Sequence, residues 1–244
     1  MVILLIILLL IIIILFLLFF CKDYFTNKKR SDIVLITEYY VNKDSVRYNE
    51  IKDSIHKNDS NNLIDKIYLL NENDKNKYES LTNSNKIINI PANKRSTFYD
   101  AFQLANTLPN GTIVIISNND ISFDETLQKL HYINLDNTII CLGRRDAHND
   151  EYLEFWTTKG LSQDSWIFKT PIKIPENTDF YFGTTACDHH IAYLLNSVGY
   201  KLINIPLDIK AYHNHKSNLR KWIKKPDSFK KNFLNVPVTY LKLK

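Results

Sequence analysis

Residues 111–127 read GTIVIISNNDISFDETL. Thr112-Ile113-Val114-Ile115-Ile116 is a continuous apolar, β-branched run bounded by turn residues, the pattern of a buried strand. It gives way to Ser117-Asn118-Asn119-Asp120, so small polar and acidic groups stand at the strand's carboxyl end. In open α/β sheets that edge is where ligands bind. Asp120, with a second acid at Asp124, supplies carboxylates able to hold a divalent cation against a phosphate.

Upstream of this stretch, strand and helix patterns alternate. Residues 32–40 (DIVLITEYY) read as a first strand that turns polar at Thr37-Glu38. Residues 47–57 have helical spacing, with Ile51 and Ile55 on one face. Strands follow at 65–70 and 86–90, the latter stopped by Pro91. Residues 97–107 form an amphipathic helix through Phe98, Ala101, Phe102 and Ala105. Alternation of this kind predicts an α/β fold with a mostly parallel, Rossmann-like sheet flanked by helices. Downstream, strands are expected at 138–142, 165–168, 201–205 and 209–213. A helix is expected at 187–199, with Gly199 as its stop.

Composition narrows the possible functions. The chain has 244 residues, 31 basic and 26 acidic, for a net charge of +5. That charge is mild and dispersed, so nucleic acid is not the expected partner. The three cysteines, Cys21, Cys141 and Cys187, form no C-x-x-C pair, which argues against a zinc ribbon or dithiol centre. Val2 to Phe20 is uninterrupted Val, Ile, Leu and Phe, about the length that spans a bilayer. It lacks the basic start and small-residue cut site of a signal peptide. The expected organisation is a transmembrane anchor at 1–21, a basic tether at 22–31, an α/β domain at 32–217 and a basic, aromatic tail at 218–244. Lys22, Lys28, Lys29 and Arg30 follow the span, so charge bias places the domain of this single-pass protein in the cytosol. The lumenal topology is the alternative. Arg220, Lys221, Lys224 and Lys225 in the tail suit a membrane surface.

Ser117-Asn118-Asn119-Asp120 after a buried strand resembles the N-x-D variant of the D-x-D signature of GT-A glycosyltransferases, the nucleotide-diphospho-sugar transferases. Four further segments recur in the family's order. Residues 95–102 (RSTFYDAF) resemble its basic and polar stretch before the metal strand. Residues 162–169 (SQDSWIFK) resemble an acceptor-side strand. Residues 183–188 (GTTACD) resemble the helix start that carries an acidic base, and 211–215 (AYHNH) the closing histidine element. The resemblance implies a GT-A fold, a nucleotide-sugar donor, a glycan, lipid or protein acceptor, and Mn²⁺ or Mg²⁺ held by Asp120 and His215. Because His213 and His215 alternate on an expected strand, they would point to opposite faces, and His215 lies nearer the loop. Thr37, Arg95, Asp100 and Asn118 are the expected donor-binding residues. Asn118 is a neutral amide where many relatives carry Asp, which weakens the site's charge. Arg144, Trp156 and Asp164 are the expected acceptor residues, with Trp166 in the core.

Asp188 is the expected general base, and an ordinary helix N-cap is the competing reading. His189 and His190 read as solvent-facing. Two other functions remain open at this level. Asp188-His189-His190 suggests a metal-dependent phosphoesterase, and the fold alone suits a non-catalytic carbohydrate-binding protein.

Overall fold

The computed structural model describes residues 30–72, 84–92, 94–146, 162–217, 219 and 226–241. Among them, β1 (Ile33–Tyr39) is buried along its whole length. That is what a strand built from Ile-Val-Leu-Ile becomes when both sheet faces are covered. It lies between β2 (Lys66–Asn71) and β4 (Ile113–Ser117), parallel to both. The edge strand β3 (Ile87–Pro91) extends the parallel set beyond β2. On the other side β8 (Ser165–Lys169) runs antiparallel to β4 and to β6 (Thr138–Leu142), and β9 (Lys201–Ile203) closes the sheet parallel to β6. The order β3-β2-β1-β4-β8-β6-β9 is the expected mostly parallel sheet with one reversed strand.

Alternation divides the core between the two faces. Val34, Ile36, Val114, Ile116, Trp166 and Phe168 pack against α2 (Phe98–Ala105) and α3 (Cys187–Ser197). Trp166 meets Phe98 edge-on at 4.8 Å, so it is a core residue as expected. Ile33, Leu35, Ile113, Ile115 and Ile167 face α1 (Ser45–Ser60), through Ile51 and Ile55, and a 3₁₀ helix (Glu125–Tyr132), through Leu127 and Leu130. Helix α3 stops where the sequence indicates: Gly199 takes φ +102°, and Gly199 N and Tyr200 N donate to the carbonyls of Asn196 and Leu195.

A second sheet stands at the carboxyl end of β4. Its order is β5 (Ile121–Phe123), β10 (Ala211–His213), β7 (Arg145–Asp146). Neither β5 nor β7 is legible as a strand in the sequence. Helix α1 fixes β5 through Asn58, whose amide donates to Ile121 O at 2.8 Å and accepts from Phe123 N at 3.0 Å.

The C-terminal segment packs on the same unit, which begins at Asp32. Helix α4 (Ser228–Lys231) brings in Phe229, which is buried together with Val236. Thr239 N donates to Asn204 O at 2.7 Å. Among the described residues no helix is long and apolar enough to cross a membrane. The expected anchor at 1–21, Trp156 and the basic tail residues Arg220, Lys221, Lys224 and Lys225 lie outside the described residues.

Candidate metal and nucleotide site

At the carboxyl end of β4 the chain is tied to β8. Ser117 Oγ lies 2.9 Å from Ser165 Oγ, and Asn118 N donates to Asp164 O at 3.1 Å. The tie sets the turn that carries Asp120, which is buried at 5 % exposure just before β5. Pairing of β5 with β10 brings the C-terminal histidines to the same place. Asn214 N donates to Asp120 O at 2.8 Å and locks the register.

Three groups converge on Asp120 Oδ2: His213 Nε2 at 3.2 Å, His215 Nδ1 at 3.5 Å and Arg47 Nη2 at 2.7 Å. The alternation argument against a two-histidine site therefore fails. Strand β10 ends at His213, and the chain after Asn214 is no longer pleated, so His215 turns back to the same side. Burial raises the Asp120 carboxyl, but His213, His215 and Arg47 outweigh it and hold the group well below the usual carboxylate range. Asp120 is ionised.

Asp120, His213 and His215 offer ligand atoms within 4.8 Å of one another. His215 Nε2 is buried without a partner among the described residues. One carboxylate and two imidazoles suit a divalent ion that accepts mixed oxygen and nitrogen ligands. They suit Mg²⁺ less well, since it prefers an all-oxygen shell. Asp124 is not part of this set. Its carboxylate caps the 3₁₀ helix at Thr126 N and accepts from Tyr212 Oη at 3.0 Å.

Arg47 was not indicated by the sequence. It sits in the first turn of α1, with the N-cap Asp44 accepting from its backbone N–H. The guanidinium bridges Asp120 and Glu50, 3.1 Å away. Glu50 in turn accepts from Ser217 N at 2.6 Å, so the segment after the histidines is held by α1. The available signal was Arg47 and Glu50 three residues apart at a helix start, directly after the first strand.

Asp164 is a hub. Its Oδ1 accepts from Asn118 Nδ2 at 2.8 Å and Arg144 Nη1 at 2.7 Å. Asn118, Asp164 and Arg144 thus form one network, with Asn118 spent on positioning. Burial works against the Arg144 charge, and Asp164, with Asp120 and Asp188 adding to it, holds the guanidinium protonated.

Asp188 stands in the first turn of α3. It is not the N-cap: that position belongs to Ala186, in the left-handed region at φ +64° with no side-chain cap. The Asp188 carboxylate accepts from Gln163 N at 3.3 Å. Burial raises its pKa, His189 opposes that, and Asp164 adds to it. His189 and His190 are buried rather than exposed. They stack on Phe233 and Phe229 at 4.0 and 3.8 Å. His190 Nδ1 lies 2.8 Å from Asn232 O, and burial lowers its pKa. Among the described residues, neither histidine belongs to a group of three ligand atoms close enough to share a metal ion, as an Asp-His-His phosphoesterase centre would need.

Two expected donor-binding residues have internal uses. The Thr37 hydroxyl donates to Ser117 O at 2.9 Å and ties β1 to β4. Asp100 completes a capping box with Thr97 at the start of α2. Arg95 donates to Phe182 O at 2.6 Å and lies near Glu38 and Glu72. Cys141 and Cys187 are free and buried.

A mostly parallel sheet with a small second sheet at its carboxyl edge, holding an acid and two histidines, is the GT-A-like architecture that the sequence leads one to expect. Among solved structures, a mannosyltransferase from Pyrobaculum calidifontis in complex with GDP-Man and Mn²⁺ superposes with a TM-score of 0.54 at 14 % identity. The match covers 78 % of this chain. The chain spans 59 % of that enzyme's length. A 4-diphosphocytidyl-2C-methyl-D-erythritol synthase from Anaerococcus prevotii matches 83 % of this chain and 94 % of its own, at 14 % identity and a TM-score of 0.40. No family model and no curated protein matches the chain.

Proposed function

We propose that this protein is a glycosyltransferase that moves a sugar from a nucleoside diphosphate donor to a hydroxyl acceptor on a glycan, lipid or protein. The convergence of Asp120, His213 and His215 at the sheet's carboxyl edge carries this reading. The mannosyltransferase of like fold, solved with GDP-Man and Mn²⁺, supports it. Asp120, His213 and His215 would hold a divalent cation, Mn²⁺ by ligand type, which would supply Lewis-acid neutralisation of the departing diphosphate. Arg47 and Arg144 add fixed positive charge at the same edge. Asp188 accepts the proton of the acceptor hydroxyl, a task that a carboxyl raised by burial suits. We take residues 1–21 as the membrane anchor and place the domain on the cytosolic side, in line with the basic residues at 22–30.

Turnover of common nucleotide sugars by the full-length chain with Mn²⁺ tests the proposal. Transfer or donor hydrolysis is expected, and Asp120→Ala is expected to remove both. No turnover with any donor, together with unchanged nucleotide binding in Asp120→Ala, overturns it.

A further inference from the structure

Val34, Ile36 and Glu38 occupy alternate positions of β1 on the face covered by α2 and α3. Leu70 and Glu72 continue the same row at the end of β2. Two acids thus stand where the apolar rows reach the ligand edge of the sheet. Glu72 hydrogen-bonds Glu38 and accepts from Ser96 N, with Arg95 close to both carboxyls. Four atoms here are buried with no partner among the described residues: Glu38 Oε2, Glu72 Oε1, Arg95 Nε and Ser96 Oγ. Glu38 and Ser96 are 6 % and 0 % exposed. Unpaired buried polar atoms are costly, and four in one corner point to a polar partner.

We propose that this corner reads the nucleobase of the donor, and that the base is guanine; the inference rests on the glycosyltransferase reading above. Two carboxyl oxygens offer adjacent acceptors, and Arg95 Nε and Ser96 Oγ offer donors. Guanine presents N1–H and N2–H₂ side by side as donors, with O6 as acceptor beside them, and matches this set. Uracil, cytosine and adenine each present at most one donor group on that edge. Burial supports the pairing by pushing Glu38 up to about 8, so it stays protonated and donates its hydrogen bond to Glu72. The groups facing Glu38 are Glu72, Arg95, Asp120 and Arg47, with Tyr40 and Cys187 beyond them. Thr37 lies on the opposite face of β1, which explains why it has no part in this corner.

Titration calorimetry of the full-length protein with Mn²⁺ and GDP, IDP, UDP, CDP or ADP tests the assignment. GDP is expected to bind most tightly. IDP, which lacks the N2 amino group, is expected to bind about tenfold more weakly. Glu72→Ala should erase the difference between GDP and IDP, whereas Glu38→Gln, whose amide still donates and accepts, should keep it. UDP, CDP or ADP binding as well as GDP overturns the guanine assignment and leaves the transferase reading intact. So does equal binding of IDP and GDP by the wild type, a result that needs no variant to fold. Binding of no nucleoside diphosphate overturns both.

Discussion

Arg47 Nη2 lies 2.7 Å from Asp120 Oδ2, the same oxygen that faces His213 and His215. Both partners are buried, with side-chain exposures of 8 % and 7 %. A cation held by Asp120 and the two histidines would therefore compete with the guanidinium for one carboxylate. Removing one member of a buried pair leaves an uncompensated charge, at a cost of about 3–5 kcal/mol. Arg47→Met should lower metal-free stability by about that amount. It should also increase the stabilisation that Mn²⁺ confers, because Asp120 then has one cationic partner fewer. Thermal unfolding with and without Mn²⁺ checks this. An equal Mn²⁺ shift in both proteins would show that the cation does not use Asp120.

His213 and His215 should each be needed for metal. Either histidine changed to Ala leaves two ligands of three, and Mn²⁺ affinity should fall by at least ~10-fold. Electron paramagnetic resonance of free Mn²⁺ measures it directly. A loss confined to His215→Ala would restore the single-histidine site expected from strand alternation.

On the proposed reading Asp188 takes the acceptor's proton and does not hold the donor. Asp188→Asn should reduce kcat by ~10²–10⁴-fold and leave nucleoside diphosphate affinity unchanged. A matching loss of nucleotide binding would instead assign it to the donor site.

Glu38 gives the fold a pH dependence of defined sign. Burial raises its pKa from 4.5 to about 8; Arg95 opposes this, Glu72 and Asp120 add to it, and Arg47 opposes. The folded chain keeps a proton that the unfolded chain has already lost, so stability is fully present below the unfolded value and falls as pH rises toward 8. The slope from one such proton is at most ~1.4 kcal/mol per pH unit. Glu72 and Asp188 are shifted in the same direction, and His190 acts the other way below its own ordinary value. Comparing Glu38→Gln with wild type therefore isolates the term. The variant should lose less stability between pH 5 and 8 in urea unfolding, and parallel curves would remove Glu38 as the source.

The parallel half of the sheet was legible because its strands are continuous β-branched runs, and a buried strand needs little else. Asp120 was legible for the same reason, as the first acid after such a run. The site's other members depend on contacts remote in sequence. Arg47 reaches Asp120 across 73 residues, and nothing around Arg47 marks the pairing. The His213–His215 pair was misread because a period of two holds only within a strand, and β10 stops at His213. His189 and His190 were misread because the aromatic rings that bury them come from the tail, about forty residues on. The strands β5 and β7 span three and two residues, too short for any periodicity to register.

Asn58 is the point where helix α1 controls the position of Asp120. Its amide is buried at 2 % exposure and meets both Ile121 O and Phe123 N, so one side chain satisfies two backbone groups of β5. Asn58→Ala leaves both groups unpaired in the interior, at about 1–3 kcal/mol each, so a loss of ~2–6 kcal/mol is expected. Asp120 directly precedes β5, and its backbone carbonyl holds Asn214 N between the two histidines. Loosening β5 should therefore also weaken Mn²⁺ binding, although Asn58 is no ligand. Ser54→Ala is the control. Ser54 is equally buried on α1, but its hydroxyl only donates to Glu50 O within the helix, so its loss should leave Mn²⁺ affinity unchanged. If Asn58→Ala lowers stability with Mn²⁺ affinity intact, β5 does not hold the metal geometry, and the support must come from the Asp164 network instead.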